Sequence, residues 1–193
     1  MASLTPSQPS VETWNAQVKD GGTFRQITDT ELIRFIDHCL IPGSGQVAVD
    51  AGCGTGGFSR QLHRYGYDVI GLDYAEAAIT AARRTPLPGV RYLHHDLNAG
   101  DPPGLPPRGI DLVVCRLVLP FLTHPYEWVG RVRDHWLRPG GRLYLLIPVV
   151  DEHEGRPGGM TQEQIVALPH GWASTARYAL EGSLACLVLR SPA

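Results

Sequence analysis

The feature that most constrains this chain is the run Val49-Asp50-Ala51-Gly52-Cys53-Gly54-Thr55-Gly56-Gly57, a glycine cluster that follows a short apolar stretch at 46–50. Glycines let the backbone turn through left-handed conformations and approach a ligand closely. A helix that begins just after them points its free N–H groups at polar or anionic oxygens. Gly52, Gly54 and Gly57 also fit the spacing G-x-G-x-x-G, a short pattern shared between cofactor classes. Strand, glycine turn and helix in that order commit the chain to an α/β layout, and the following residues continue it. Hydrophobic periodicity predicts a helix over 57–65 with Phe58, Leu62 and Tyr65 on one face, a strand over 68–73 and an alanine-rich helix over 75–84. A third strand follows over 90–95, a fourth over 110–115, a helix over roughly 126–136 and a fifth strand over 141–149.

The alternation breaks in three places. Pro102, Pro103, Pro106 and Pro107 crowd the segment 98–109, so the expected crossover helix there is absent or vestigial. Ahead of the glycine turn, Thr28 and Glu31 have capping-box spacing and precede Leu32, Ile33, Phe35, Ile36 and Leu40 at helical intervals; Pro42 and Gly43 end that helix. At the other end, 174–181 and 184–190 are separated by so short a turn that they must pair as an antiparallel hairpin. Residues 151–160 read as an exposed polar loop and 161–168 as a short helix. The sum is one doubly wound α/β domain over 13–193, its sheet mostly parallel with an antiparallel C-terminal strand. Residues 1–12 read as a disordered tail. Residues 13–27, with Trp14, Phe24, Arg25 and a hinge at Gly21-Gly22, read as an N-terminal lid.

Composition narrows the function classes. With 193 residues the chain is sized for a single domain. The net charge is -2 and Lys19 is the only lysine, so the basic stripe of a nucleic-acid binder is missing. The longest apolar run, 143–150, has strand length and contains Pro148, which gives no membrane span. The four cysteines stand apart without zinc or redox spacing, so reduced thiols, a cytoplasmic location and no metal are expected.

Three acids bias the glycine turn toward one ligand. Asp50 lies two residues before Gly52, where its carboxylate would repel a pyrophosphate but suits a cationic amino-acid moiety. Asp73 ends the second strand about twenty residues on, placed to accept hydrogen bonds from ribose hydroxyls. Asp96 ends the third strand, where it can accept from an adenine amino group. Ribose, adenine and a cationic methionine tail together describe S-adenosylmethionine better than a nicotinamide cofactor.

With these motifs on the page, the chain resembles the class I S-adenosylmethionine-dependent methyltransferases over roughly residues 28–148. Val49 to Gly56 is similar to their first motif and Gly71-Leu72-Asp73-Tyr74 to their acidic ribose motif. His95-Asp96-Leu97 is similar to the adenine motif, Asp111 to Cys115 to the fourth-strand motif, and Leu137 to Leu143 to the turn into strand five. The resemblance implies a Rossmann-like seven-stranded sheet whose last strand is antiparallel. It implies that Gly52, Cys53 and Gly54 contact the methionine part through backbone, with the Cys115 carbonyl meeting the ammonium. Asp73 would hold the ribose with Tyr74 beside the adenine, and Asp96 with the Leu97 amide would fix the base. Arg25 is the candidate for the methionine carboxylate.

The expected activity is methyl transfer from S-adenosylmethionine to a small-molecule acceptor through oxygen, nitrogen or carbon. The rival readings are a catalytically silent binding module of the same fold and a nicotinamide-dependent oxidoreductase. No catalytic residue is assigned, because the family's frequent histidine after strand four is replaced here by Leu119-Pro120-Phe121. Arg116, His124, Tyr126, His153 and His170 rim the expected site, each with an ordinary loop or packing role as the alternative. His94 is expected to point away from it. Oligomeric state is not encoded in any visible pattern.

Overall fold

The computed structural model describes residues 9–22, 25–40, 45–151 and 158–193. Seven strands form one sheet in the order β3-β2-β1-β4-β5-β7-β6. They are β1 (Gln46–Ala51), β2 (Tyr67–Asp73), β3 (Val90–His94), β4 (Ile110–Arg116), β5 (Leu137–Pro148), β6 (Ser174–Leu180) and β7 (Leu184–Arg190). The first five run parallel, and β7 is inserted antiparallel between β5 and β6. The hairpin turn at 181–183 uses Gly182 and Ser183 at positive φ, and Leu180 pairs with Leu184 across it. This is the expected mostly parallel, doubly wound sheet with a single antiparallel strand.

Alternate residues of each strand feed two cores. On one face Ala48, Val69, Leu112, Val114, Tyr144 and Leu146 pack with Phe35 of α2 (Asp29–His38) and with Phe58 and Leu62 of α3 (Gly57–Arg64). On the other, Val49, Ala51, Val113, Leu143, Leu145 and Ile147 meet Trp128 and Val129 of α5 (Pro125–Arg131) and Ile165 of α6 (Gln162–Ala167). The period-two alternation means that a one-residue slip would exchange the two sets, so burial on both faces fixes the register. Helix α4 (Glu76–Arg83) covers β2 and β3.

Three local readings change. A helix, α1 (Val11–Lys19), begins inside the stretch taken as a tail; Ser10 caps it by accepting the Thr13 amide, and residues 1–8 lie outside the described residues. The expected helix over 126–136 is α5 followed by a π turn at Val132–Trp136. The wider turn carries Trp136 into the core, edge-on to Trp128 at 5.7 Å, with its indole N–H on Asp101 at 2.7 Å. Strand β5 starts at Leu137 rather than 141, because Leu137 pairs with Ile110 before a register shift in the β4–β5 ladder. As expected, no crossover helix stands between β3 and β4, where a single 3₁₀ turn, Leu97–Ala99, precedes the prolines. The helix-ending Pro42 and Gly43 lie outside the described residues.

Candidate cofactor site

The strand order reverses direction between β1 and β4, and ligands of doubly wound sheets bind in the crevice beyond that point. The glycine turn occupies it. Gly52, Gly54 and Gly56 all have positive φ, and the turn is pinned by the Gly52 and Cys53 amides, which donate to the Leu72 carbonyl at 2.8 and 2.9 Å. A side chain at Gly52 would have to overlap Val118, and one at Gly56 would overlap Tyr92. Gly56 is also the N-cap of α3 and supplies no capping side chain; the Ser59 amide in the first turn of that helix is met instead by the Asp50 carboxylate.

The acids gather around this turn in different states. Asp73 is half-buried; one carboxylate oxygen accepts the Gly54 amide at 2.8 Å and the other accepts the Ala75 amide at 2.9 Å. Each oxygen retains a lone pair for a further donor. Burial raises its pKa above the usual carboxylate value, against the opposing backbone bonds. Asp50 is buried on the α3 face, where it accepts the Ser59 hydroxyl at 2.6 Å, and burial pushes its pKa up to about 6. A buried carboxylate is costly to ionise alone and gains from a neighbouring cation, which suits a methionine ammonium and opposes a pyrophosphate. Asp96 is exposed and caps the 3₁₀ turn, accepting from the Asn98 amide and side chain at 2.9 and 3.0 Å, with buried Leu97 beside it.

Tyr74 follows Asp73, and its hydroxyl donates to the Pro9 carbonyl at 3.1 Å; burial, with Asp73 and Asp96 adding negative charge, pushes its pKa to about 12. Cys115 is fully buried opposite Ala51 in the β1–β4 ladder. Cys53 is buried, and burial raises both thiols, that of Cys115 to about 12, so neither is a ready thiolate.

Two residues have partners that the sequence reading did not show. Arg25 stays partly exposed while its guanidinium donates to buried Glu31 at 2.7 Å, and Arg116 grips the same carboxylate at 2.6 and 3.1 Å. His94 does not point away from the end of β2; its Nε2 donates to the Tyr74 carbonyl at 2.8 Å, next to its ladder partner Asp73.

Of the other rim residues, Tyr126 packs against α6 with its hydroxyl on the Gln164 carbonyl at 3.2 Å, and His124 is exposed 4.0 Å from Glu127. Trp172, beside His170, packs on the core. His153, with Glu152 and Glu154, lies outside the described residues, as do Thr23 and Phe24. No group of three metal-ligating side chains occurs among the described residues.

Sequence reasoning missed Glu31, Ser59, Tyr92 and the helix α1. That helix buries none of its own residues, yet it is tied down at several points. Asn15 accepts the Ala77 amide at 2.9 Å, and Trp14 meets Phe121 edge-on at 5.5 Å. Phe121 in turn lies so near Gly158 that a side chain there would overlap it. The signals were Ser10 as a cap and Val11, Trp14 and Val18 at helical spacing.

These residues fit S-adenosylmethionine: a left-handed glycine turn only glycine can fill at Gly52, a desolvated carboxylate beside it, and a second one with lone pairs to spare at the end of β2. The comparisons agree. The methyltransferase domain family profile matches residues 49–143. The ubiquinone biosynthesis O-methyltransferase of Albidiferax ferrireducens is 30% identical over 132 residues, 64% of this chain and 50% of that protein. The chain thus spans about half the length of that curated relative. Among solved structures, phosphoethanolamine N-methyltransferase 2 of Haemonchus contortus, in complex with S-adenosyl-L-methionine, superposes with a TM-score of 0.73 at 15% identity, over 98% of this chain and 59% of that one. An S-adenosylmethionine-dependent methyltransferase from Mesorhizobium loti gives 0.64 at 20% identity, over 81% of this chain and 96% of that one. The low identities of these structures speak for the fold alone; the family profile, which spans the glycine turn and the strand-end acids, places the chain among the class I S-adenosylmethionine-dependent methyltransferases.

Proposed function

We propose that the chain binds S-adenosylmethionine beyond the ends of β1, β2 and β3 and transfers its methyl group to a small-molecule acceptor. The observation that carries this reading is the bond from the Gly54 amide to Asp73, which ties the glycine turn to the carboxylate assigned to the ribose. In this reading Gly52, Cys53 and Gly54 hold the methionine part by backbone, and Asp50 and the Cys115 carbonyl face its ammonium. Arg25 takes its carboxylate, Asp73 the ribose hydroxyls, and Tyr74, Asp96 and Leu97 the adenine. When bound, the cofactor supplies a methyl group already activated on a sulfonium. The protein then has to align the acceptor in line and keep water out.

The segment that would keep water out is α1, acting as a lid. Contacts of this segment reach from Tyr74 after β2, bound to Pro9 just ahead of the helix, and Ala77 of α4 to Phe121 after β4. Trp14 and Phe121 give the acceptor side an apolar, aromatic lining, which favours a small organic acceptor. The net charge of -2 disfavours RNA. The related O-methyltransferases of ubiquinone biosynthesis support the same class. Among the described residues no helix is long and apolar enough to cross a membrane. The test is turnover: the chain is incubated with S-adenosylmethionine and pools of small phenols and amines. A 14-dalton mass gain on one acceptor with matching S-adenosylhomocysteine supports transfer. Cofactor binding without any product across the pools would instead support the silent-module reading.

A further inference from the structure

Glu31 is the third residue of α2, three positions after its cap Thr28. Local rules give it a capping-box role, its side chain folding back to the Thr28 amide. Half of that box forms: the Thr28 hydroxyl accepts the Glu31 amide at 3.2 Å. The Glu31 side chain goes instead into the protein, where it is fully buried and accepts three charge-assisted bonds from two arginines. Burying a carboxylate is costly, and one guanidinium suffices to neutralise it. Two guanidiniums leave the group with a surplus of one positive charge.

The surplus lies beside the glycine turn. Arg116 directly follows Cys115, the ladder partner of Ala51, and its guanidinium lies over the ring of Phe58 at 4.9 Å, in the first turn of α3. Its charge is felt by Asp50. On the other side Gln26, next to Arg25, reaches within 3.9 Å of where a side chain at Gly57 would stand. The two arginines therefore come from segments 91 residues apart in number, yet meet at one buried carboxylate.

We propose that Glu31 is a positioning residue for cofactor capture: it holds Arg25 and Arg116 side by side as a cradle for the carboxylate of the cofactor's methionine tail. The proposal rests on the reading of the glycine turn as the S-adenosylmethionine site. It adds Arg116 to that site as the partner of Arg25, and it makes one buried acid responsible for the geometry of both. It also joins the segment after α1 to the end of β4, so that capture of the tail and seating of the N-terminal segment share one anchor.

The test is calorimetric titration of the wild type, Glu31→Gln and Glu31→Asp with two probes, S-adenosylhomocysteine and 5′-methylthioadenosine. The second probe keeps the adenosine and the thioether but lacks the amino-acid tail. A glutamine oxygen can accept from one arginine, while its NH₂ group turns a donor toward the other, so one guanidinium is released. Glu31→Gln should weaken S-adenosylhomocysteine at least tenfold and leave 5′-methylthioadenosine within twofold of the wild type, with Glu31→Asp between. Should Glu31→Gln not fold, Arg116→Lys gives the same contrast, since lysine keeps the charge but cannot hold the carboxylate with a fork. Equal weakening of both probes would mean a purely structural role, and tighter binding of S-adenosylhomocysteine by Glu31→Gln would mean that the acid only cancels charge; either overturns the proposal. A wild type that binds both probes equally well overturns the cradle alone. A wild type that binds neither removes the underlying assignment of the turn.

Discussion

Gly52→Ala tests the glycine turn most sharply, because two separate costs fall on one added methyl group. Gly52 has φ of +79°, where an L-residue costs roughly 1–2 kcal/mol. The new Cβ would also lie 2.2 Å from one methyl of Val118, far inside ordinary contact. Val118 is β-branched and stiff at χ1, and it packs against the core, so relief by rotamer change or displacement costs about 1–3 kcal/mol more. The sum is about 2–5 kcal/mol, which in a chain of this size lowers the melting temperature by roughly 4–20 °C. The assay is denaturant unfolding of the wild type, Gly52→Ala, Val118→Ala and the double variant without cofactor. In the Val118→Ala background the 2.2 Å overlap is gone and only the Cβ contact at 3.2 Å remains, so Gly52→Ala should cost little beyond the backbone share, about 1–2 kcal/mol. A Gly52→Ala penalty of the same size in both backgrounds would refute the packing argument. A penalty below about 0.5 kcal/mol would refute the left-handed turn itself.

Other outcomes follow from the same geometry. The Asp50 pKa is raised to about 6, so its contribution to stability is present below the unfolded value near 4 and lost as pH rises through about 6. The wild type should therefore lose on the order of 2–3 kcal/mol relative to Asp50→Asn between pH 4 and 7, as read by unfolding at each pH. Because a ligand ammonium favours the ionised acid, affinity for S-adenosylhomocysteine should rise over the interval from pH 5 to 7 in the wild type and not in Asp50→Asn. Asp73→Ala should weaken S-adenosylhomocysteine by roughly 2–4 kcal/mol in titration. Because it also strips the partners of the Gly54 and Ala75 amides, it should lower the unfolding midpoint as well. Hydrogen exchange across α1 should slow when S-adenosylhomocysteine binds and should lose that response in Trp14→Ala; equal exchange with and without ligand would mean a permanently packed helix.

What the sequence revealed and what it hid divide along the range of the interactions involved. Five parallel strands, the hairpin and the missing crossover helix were readable because apolar period, turn residues and prolines act within a few positions. Asp50, Asp73 and Asp96 were readable because each ends a strand. The role of Glu31 was not, since local spacing gives it a complete and ordinary explanation as a capping residue, and the competing partner Arg116 is 85 positions away. Helix α1 has a cap signal but no buried face, so its position depends on Tyr74, Ala77 and Phe121, which no window around Trp14 contains. The π turn at Val132–Trp136 likewise follows from seating Trp136 in the core, not from any local breaker.

The central claim, that the turn from Asp50 to Gly56 holds S-adenosylmethionine rather than a nicotinamide cofactor, is tested most directly by thermal unfolding of the wild type with each ligand. S-adenosylhomocysteine at a hundredfold excess over its dissociation constant should stabilise the fold by about 2.7 kcal/mol, a rise of roughly 5–11 °C for a chain of this size. NAD at the same concentration should leave the curve in place. An unchanged curve with saturating S-adenosylhomocysteine, or an equal rise with NAD, would contradict the account.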